Sequence, residues 1–280
     1  MAGTALVGGC QEAKLAAATT LTVYSMKTAW HPIPDIGDWP LDHVAVTASS
    51  GTQWGCFGRT QAEEPANSKA IAQGAGDAMW AAEIAGPDGH SGIEFGVTGI
   101  CHHCANRITA PANIDARRSP GNEIATPIFG RFGLGRPALV QRIKDAAKRV
   151  NAAHPRRISD AAVAAVVKRV SGGLKDEWEI VNEDFEQYLK PALKDEYETF
   201  KGDIEHVYLG LYHHREALFA AYSRGTIDKA RFVARMNSGF TASLEDLKDV
   251  LGPERFGRIV PIPIKVAADY VFYQLPPAYQ

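Results

Sequence analysis

The sequence predicts an α+β fold: a small N-terminal α+β unit over residues 1–136, then an all-helical half over residues 137–280 that ends in a proline-rich tail. Three observations carry this reading. Up to about Arg136 the chain is rich in Gly, Pro and Thr, with short β-type runs. From Pro137 onward apolar residues recur at helical spacing. Capping residues and glycines bracket those helical stretches.

Taken in order, "HVAVTA" (43–48) alternates and is β-branched, and "TQWGCFG" (52–58) follows the turn-forming "SSG", so the two predict a hairpin. "KAIAQGAGDAMWAAEIA" (69–85) predicts an alanine-rich helix weakened by two glycines and ended by "GPDG". "IEFGVTG" (93–99) predicts a further strand, which stops where "CHHCANRI" begins. In the second half, "RPALVQRIKDAAKRVNAA" sets a proline near a helix start, with Leu139, Val140, Ile143, Ala147 and Val150 on one face. "ISDAAVAAVVKRVSGG" carries a Ser cap before its helix and glycines after it. Three or four more helices run through "DEWEIVNEDFEQYLKPALKDEYETF", "DIEHVYLGLYHHREALFAAYSRG", "TIDKARFVARMN" and "SLEDLKDVLG". The tail "IVPIPIKVAADYVFYQLPPAYQ" allows one strand or short helix between its prolines, and no internal repeat is present.

At 280 residues the chain can bury a core without help from disulfides or metal. A hydrophobic fraction of 45%, a charged fraction of 22% and a net charge of -2 are those of a soluble globular protein. With no dominant basic face or arm, they argue against nucleic acid as the main partner. "KRVNAAHPRR" and "ARRSPG" are short and local, and read as solvated helix ends. No apolar run reaches the roughly 18 to 20 residues of a membrane span. Cysteines at positions 10, 56, 101 and 104 are too few and too unevenly spaced for a secreted disulfide scaffold, which places the chain in the cytoplasm. The alternative is a bacterial cell-envelope lipoprotein anchored through Cys10, because "ALVGGCQ" resembles a lipoprotein cleavage site; the stretch before it is short and lacks a basic start.

Chemistry concentrates in "GVTGICHHCANRI" (96–108). Cys101 and Cys104 have C-x2-C spacing, but a structural zinc site needs four ligands, and His31, His90 and Cys56 are scattered singles. Haem attachment requires C-x-x-C-H, and Ala105 stands in the histidine's place. As a nucleophile the segment makes more physical sense. A strand that delivers Cys101 to the first turn of a helix sets its sulfur where unpaired N–H groups and the helix dipole favour a thiolate. The same N–H groups can hold an oxyanion. Cys104, one turn later, points into the domain as an inert thiol. His43, at the start of the first hairpin strand, is the candidate base, with Gln53 as a candidate to orient it. His102 and His103 are expected to line the pocket or meet solvent, because neighbours on a helix diverge.

At these residues the sequence resembles the circularly permuted papain-like cysteine peptidases and acyltransferases, which include the desumoylating isopeptidases and the lecithin:retinol acyltransferase relatives. In that family a strand-start histidine, a short apolar strand, a turn and a second strand ending in an aromatic–glycine step precede a cysteine that opens a helix. "HVAV", "TASSGTQ", "WGCFG" and "ICHHCANRI" follow that order over residues 40–110, with "ICHHC" where many members carry an Asn-Cys step. The resemblance implies a permuted papain-like N-terminal unit, His43 as base and Cys101 as nucleophile.

Elsewhere, His206 and His213 share a helical face near Glu205 and Glu216, but the E-x-x-H step of helical di-metal sites is missing, so they read as solvated. "FGRFGLGRP" lacks the G-x-G-x-x-G order of a phosphate cradle. Trp30, Trp39, Trp54, Trp80 and Trp178 read as core packing. The expectation is a cysteine-dependent hydrolase or acyl transferase that uses Cys101 and His43, needs no cofactor and acts on a peptide, amide or acyl-ester substrate. The helical half would shape its groove. The alternatives are a non-enzymatic helical binding or assembly protein, and a metal protein using Cys101 and Cys104 with two residues from elsewhere.

Overall fold

The computed structural model describes residues 19–27, 41–57, 68–116, 119–173 and 176–273. Cys10, Trp30, His31, Trp39, the two arginines of "ARRSPG" and the last residues of the proline-rich tail lie outside the described residues.

The fold is mixed α+β, with one four-stranded antiparallel sheet of order β3-β2-β1-β4. Its strands are β1 (Thr19–Lys27), β2 (Asp42–Ala48), β3 (Gln53–Trp54) and β4 (Ser68–Gly76). β1, which the sequence reading does not include, is central: Val23 pairs with Val46 on one side and Ala72 on the other. The β2–β3 hairpin forms as expected, with Val46 opposite Trp54. β3 is only two residues long, because the chain turns at Cys56 and Phe57, where φ is 45° and 76°.

Two expectations need correction. The stretch from 69 to 85 is not one helix: residues 68–76 form β4, and only Ala78–Ala85 form a helix, α1, started by Asp77, whose carboxylate accepts from Trp80 N at 2.9 Å. The glycines read as flaws in a helix are strand residues that permit close packing. A Cβ on Gly76 would meet Leu21 Cδ1 and Ala112 Cβ at 2.9 Å. Pairing along β1 overrides the helix preference of alanine. Nor is 93–99 a strand. Glu94 N donates to Thr98 Oγ1 at 2.8 Å and Thr98 N to Glu94 O at 2.9 Å, closing a tight loop bridged between Phe95 and Gly99.

The helices that follow are α2 (Cys101–Thr109), α3 (Pro120–Phe129), α4 (Arg136–Ala153), α5 (Asp160–Ser171), α6 (Glu177–Leu193), α7 (Tyr197–Ser223), α8 (Lys229–Ile259) and α9 (Ile264–Val271). Leu139, Ile143, Ala147 and Val150 of α4 are buried as the periodicity predicts, while Val140 is half-buried. Ser159 caps α5 by accepting from Ala162 N, and Gly172 ends it in the left-handed conformation. The two segments "TIDKARFVARMN" and "SLEDLKDVLG" fuse into α8, which breaks only at Gly252 before Pro253. The tail resolves into a helix, α9.

One apolar cluster joins Leu21, Val23 and Val46 of the sheet with Ile108 of α2 and with Phe232, Phe240 and Val271 of the C-terminal helices. A second joins Trp80 and Ile84 of α1 with Leu139, Ile143 and Val166. Both therefore draw side chains from either side of residue 136. The "KRVNAAHPRR" segment also reaches back, with Arg157 paired to Asp77 and Arg149 to Glu83. No helix among the described residues is long and apolar enough to cross a membrane.

The contact at Gly76 is testable. Gly76→Val forces branched carbons into Leu21 and Ala112, and overpacking of this kind costs about 1–3 kcal/mol. A lower urea midpoint with an unchanged m-value is expected; an unshifted midpoint would contradict the packing.

Candidate active site

Strand β2 opens with Asp42-His43 and helix α2 with Cys101-His102, and packing of α2 on β2 brings the two dipeptides together. The approach to α2 is extended: Ile100, its N-cap, has φ -128° and ψ -174°, and Ile100 N donates to His103 Nδ1 at 3.0 Å. The helical ladder begins with His103 N and Cys104 N, which donate to Ile100 O at 3.0 and 3.2 Å. The N–H groups of Cys101 and His102 lie ahead of that ladder, as the first N–H groups of a helix must.

Cys101 Sγ is 3.3 Å from His102 Nδ1, and His102 Nε2 donates to Asp42 Oδ1 at 3.2 Å. Asp42 Oδ1 also accepts from Ser119 Oγ at 2.7 Å and Gly121 N at 3.1 Å, and its Oδ2 accepts from Ser25 Oγ at 2.6 Å. Tyr270 of α9 donates its hydroxyl to the Asp42 carbonyl at 2.5 Å and lies 3.4 Å from His102 Nδ1. Only glycine fits at 121, since a Cβ there would lie 2.0 Å from the Tyr270 hydroxyl. His43 also hydrogen-bonds the Cys101 sulfur. Its Nε2 is 2.8 Å from Gly55 O. A carbonyl only accepts, so Nε2 carries the proton and Nδ1 is left for the sulfur.

Burial sets the electrostatics, for Asp42, His43, Cys101 and His102 are each under a tenth exposed. Burial by itself raises the Cys101 thiol, but the charges of His102 and His43 and their hydrogen bonds bring it down to about 5. Burial opposes charge on His102 as well; Cys101 and Asp42, its partners on either side, outweigh it and lift the ring to about 10. Asp42, against its burial, is held at about 2 by His102 and by the hydroxyls of Ser25 and Ser119. His43 is raised, burial being outweighed by the Cys101 sulfur and the Gly55 carbonyl. The arrangement is a thiolate between two imidazoles, one of them backed by a carboxylate.

Of the residues singled out from sequence, the structure brings Cys101 and His43 together. His102 corrects the expectation that it turns from the sulfur: Cβ directions of helix neighbours diverge, yet the imidazole folds back to Cys101 while Asp42 holds its far edge. His103 instead faces Ile100 N, and burial, with His102, Arg107 and Arg136 nearby, keeps it neutral. The carbonyl on His43 Nε2 belongs to Gly55, two residues beyond Gln53. Cys104 is buried and donates to Gly89 O at 3.1 Å, away from the imidazoles. Among the described residues no group of three or more His, Cys, Asp or Glu side chains is arranged to hold a metal ion. His206 and His213 are exposed. Asp42, Ser119, Gly121 and Tyr270 went unread. For Asp42 a signal existed, an acidic residue next to the candidate base; Tyr270, 228 positions along the chain from Asp42, offered none.

Asp42→Asn leaves His102 without its countercharge and strands buried donors. Breaking a buried charged pair costs about 3–5 kcal/mol, so a marked fall in unfolding free energy is expected together with slower Cys101 alkylation at pH 6. Wild-type alkylation in a folded Asp42→Asn protein would refute the link. No protein-family model, curated protein or solved structure matches this chain.

Proposed function

We propose that the protein is a cysteine-dependent hydrolase or acyl transferase acting on an amide, peptide or ester carbonyl, with Cys101 as nucleophile. The observation that carries this reading is the Cys101 sulfur, buried yet held by two imidazoles, which bring its thiol to about 5. A histidine near the start of a strand, beside a cysteine at the start of a helix packed on that strand, also supports the permuted papain-like reading. The three described cysteines, Cys56, Cys101 and Cys104, are free, which supports a reducing, cytoplasmic setting.

In this mechanism the thiolate attacks the carbonyl carbon and the N–H groups of Cys101 and His102 receive the oxyanion. The tetrahedral intermediate collapses, the leaving group takes a proton from an imidazolium, and an acyl-thioester remains. Water or an acceptor nucleophile, deprotonated by the same imidazole, then releases the acyl group and frees the sulfur. The two rings divide the work. His102, with a carboxylate behind it and a pKa of about 10, stays charged and holds the thiolate. His43 has a neutral carbonyl and no carboxylate behind it, so it is the ring assigned to carry protons to and from the reacting groups.

Alkylation of Cys101 by iodoacetamide should hold a plateau from about pH 6 to 8 and fall as pH drops through about 5, because a depressed thiol pKa leaves the thiolate populated above that value. A rate that climbs steadily across the same interval, as for an ordinary thiol, would sink the proposal. With a p-nitrophenyl ester, Cys101→Ala should abolish the burst of nitrophenolate. His43→Ala should lower turnover by roughly 10²–10⁴-fold while leaving alkylation at pH 7 largely intact. His102→Ala should lose alkylation at pH 6. The opposite pattern in the two histidine variants would reverse their assignment.

A further inference from the structure

An open depression of about 400 Å³ lies along α4, which contributes Ala138, Leu139, Arg142, Asp145 and Arg149, and is completed by Arg107 of α2 and by Gly92. Its chemistry is unused by the mechanism above. Arg107 is buried and gives Nε to Phe132 O at 2.7 Å, Nη1 to Ser91 O at 3.1 Å and Nη2 to Leu134 O at 2.5 Å. All three acceptors are neutral, and a guanidinium has five N–H groups, so two remain. Burial, with Arg142 and Arg136 nearby, brings its pKa down to about 9, which leaves it charged at neutral pH.

Arg142 is seated as deliberately. It gives Nη1 to Ile84 O at 3.2 Å, and a Cβ on Gly92 would come within 3.0 Å of Nη2 and 3.2 Å of Nε. A Cβ on Gly86 would come within 3.1 Å of Nη1. Both glycines have φ above +70°, a conformation that favours glycine, and the Arg142 guanidinium lies close over them. Asp88, whose Oδ1 lies near the same Gly86 position as Arg142, accepts from His90 N at 2.9 Å, and the other nearby carboxylates also have partners. Glu83 pairs with Arg149, Asp145 bonds Lys148 and Gln141, and Glu177 accepts from Gly135 N. Among the described residues neither Arg107 nor Arg142 has an ion pair.

Two guanidiniums held by neutral carbonyls, neither of them in an ion pair among the described residues, thus line one open cavity. We propose that this depression binds a phosphate group, with Arg107 and Arg142 donating to its oxygens. Phosphate suits the site better than a carboxylate because its second charge matches the second guanidinium and its additional oxygens can accept from both at once. Ala138, exposed at the rim, leaves room for an organic substituent.

The test is calorimetric titration of the full-length protein with inorganic phosphate, phenyl phosphate and acetate at constant ionic strength set with chloride, together with Tm measured under the same conditions. Saturable phosphate binding with a rise in Tm is expected, weakened about tenfold or more by Arg142→Gln and partly restored by Arg142→Lys. Ala138→Glu, an exposed substitution that touches neither arginine's own bonds, should abolish binding by placing a carboxylate at the rim, which keeps the test valid if Arg142→Gln does not fold. Tighter binding of phenyl phosphate than of phosphate supports the site and identifies an ester as its ligand; equal binding supports it with free phosphate. Absence of binding by either, acetate binding as tightly as phosphate, or unchanged binding in both variants would overturn it.

Discussion

A carboxylate cannot be carried into a protein interior unless positive charge and hydrogen-bond donors meet it there. At Asp42 that requirement recruits distant parts of the chain. Ser25 comes from β1, His102 from α2, and Ser119 and Gly121 from the start of α3. Tyr270 of α9 closes over the carbonyl of the same residue. The sheet, the thiol helix and the C-terminal helix are thus held in register by one residue's oxygens. Displacing any one of these elements leaves a buried donor or a buried charge without its counterpart.

Charge then alternates outward from Asp42: carboxylate, His102 imidazolium, Cys101 thiolate, His43. Each group alone is opposed by burial, and each is returned to its charged form by its neighbour. Charges interact more strongly in such surroundings than in water, so desolvation sharpens the pairing it opposes. The sulfur is activated by the arrangement as a whole, and α2 is polar in sequence although every one of its residues is buried.

The legible parts were those written locally. The α4 face, the Ser159 cap and the hairpin turn all follow from neighbours in sequence, whereas the closeness of His43 to Cys101 was an expectation of the family resemblance and of each residue's place at the start of an element. Where the reading failed, a non-local partner decided. The alanine-rich stretch before Asp77 became β4 because β1 offers it a ladder, and β1 went unread although "TTLTVYSMK" carries β-branched residues. "IEFGVTG" has the composition of a strand, but its polar groups close on one another. The role of His102 was hidden by a correct rule applied too far. Helix neighbours diverge at Cβ, whereas an imidazole reaches further and its direction is set by what holds its distal nitrogen.

That last point explains how adjacent dipeptides can serve one sulfur. Asp42-His43 and Cys101-His102 each pair a charged or chargeable anchor with an imidazole, and packing crosses them so that each ring is controlled by an acceptor outside its own dipeptide. For His102 the acceptor is a carboxylate, which fixes the ring as a cation; for His43 it is a carbonyl, which fixes the tautomer but adds no full charge. A single imidazole cannot be both a lasting countercharge and a ready proton carrier, because the first needs a pKa well above neutrality and the second a pKa near it. In the proposed mechanism, two rings with different acceptors behind their Nε2 nitrogens, a carboxylate for His102 and a carbonyl for His43, divide those tasks.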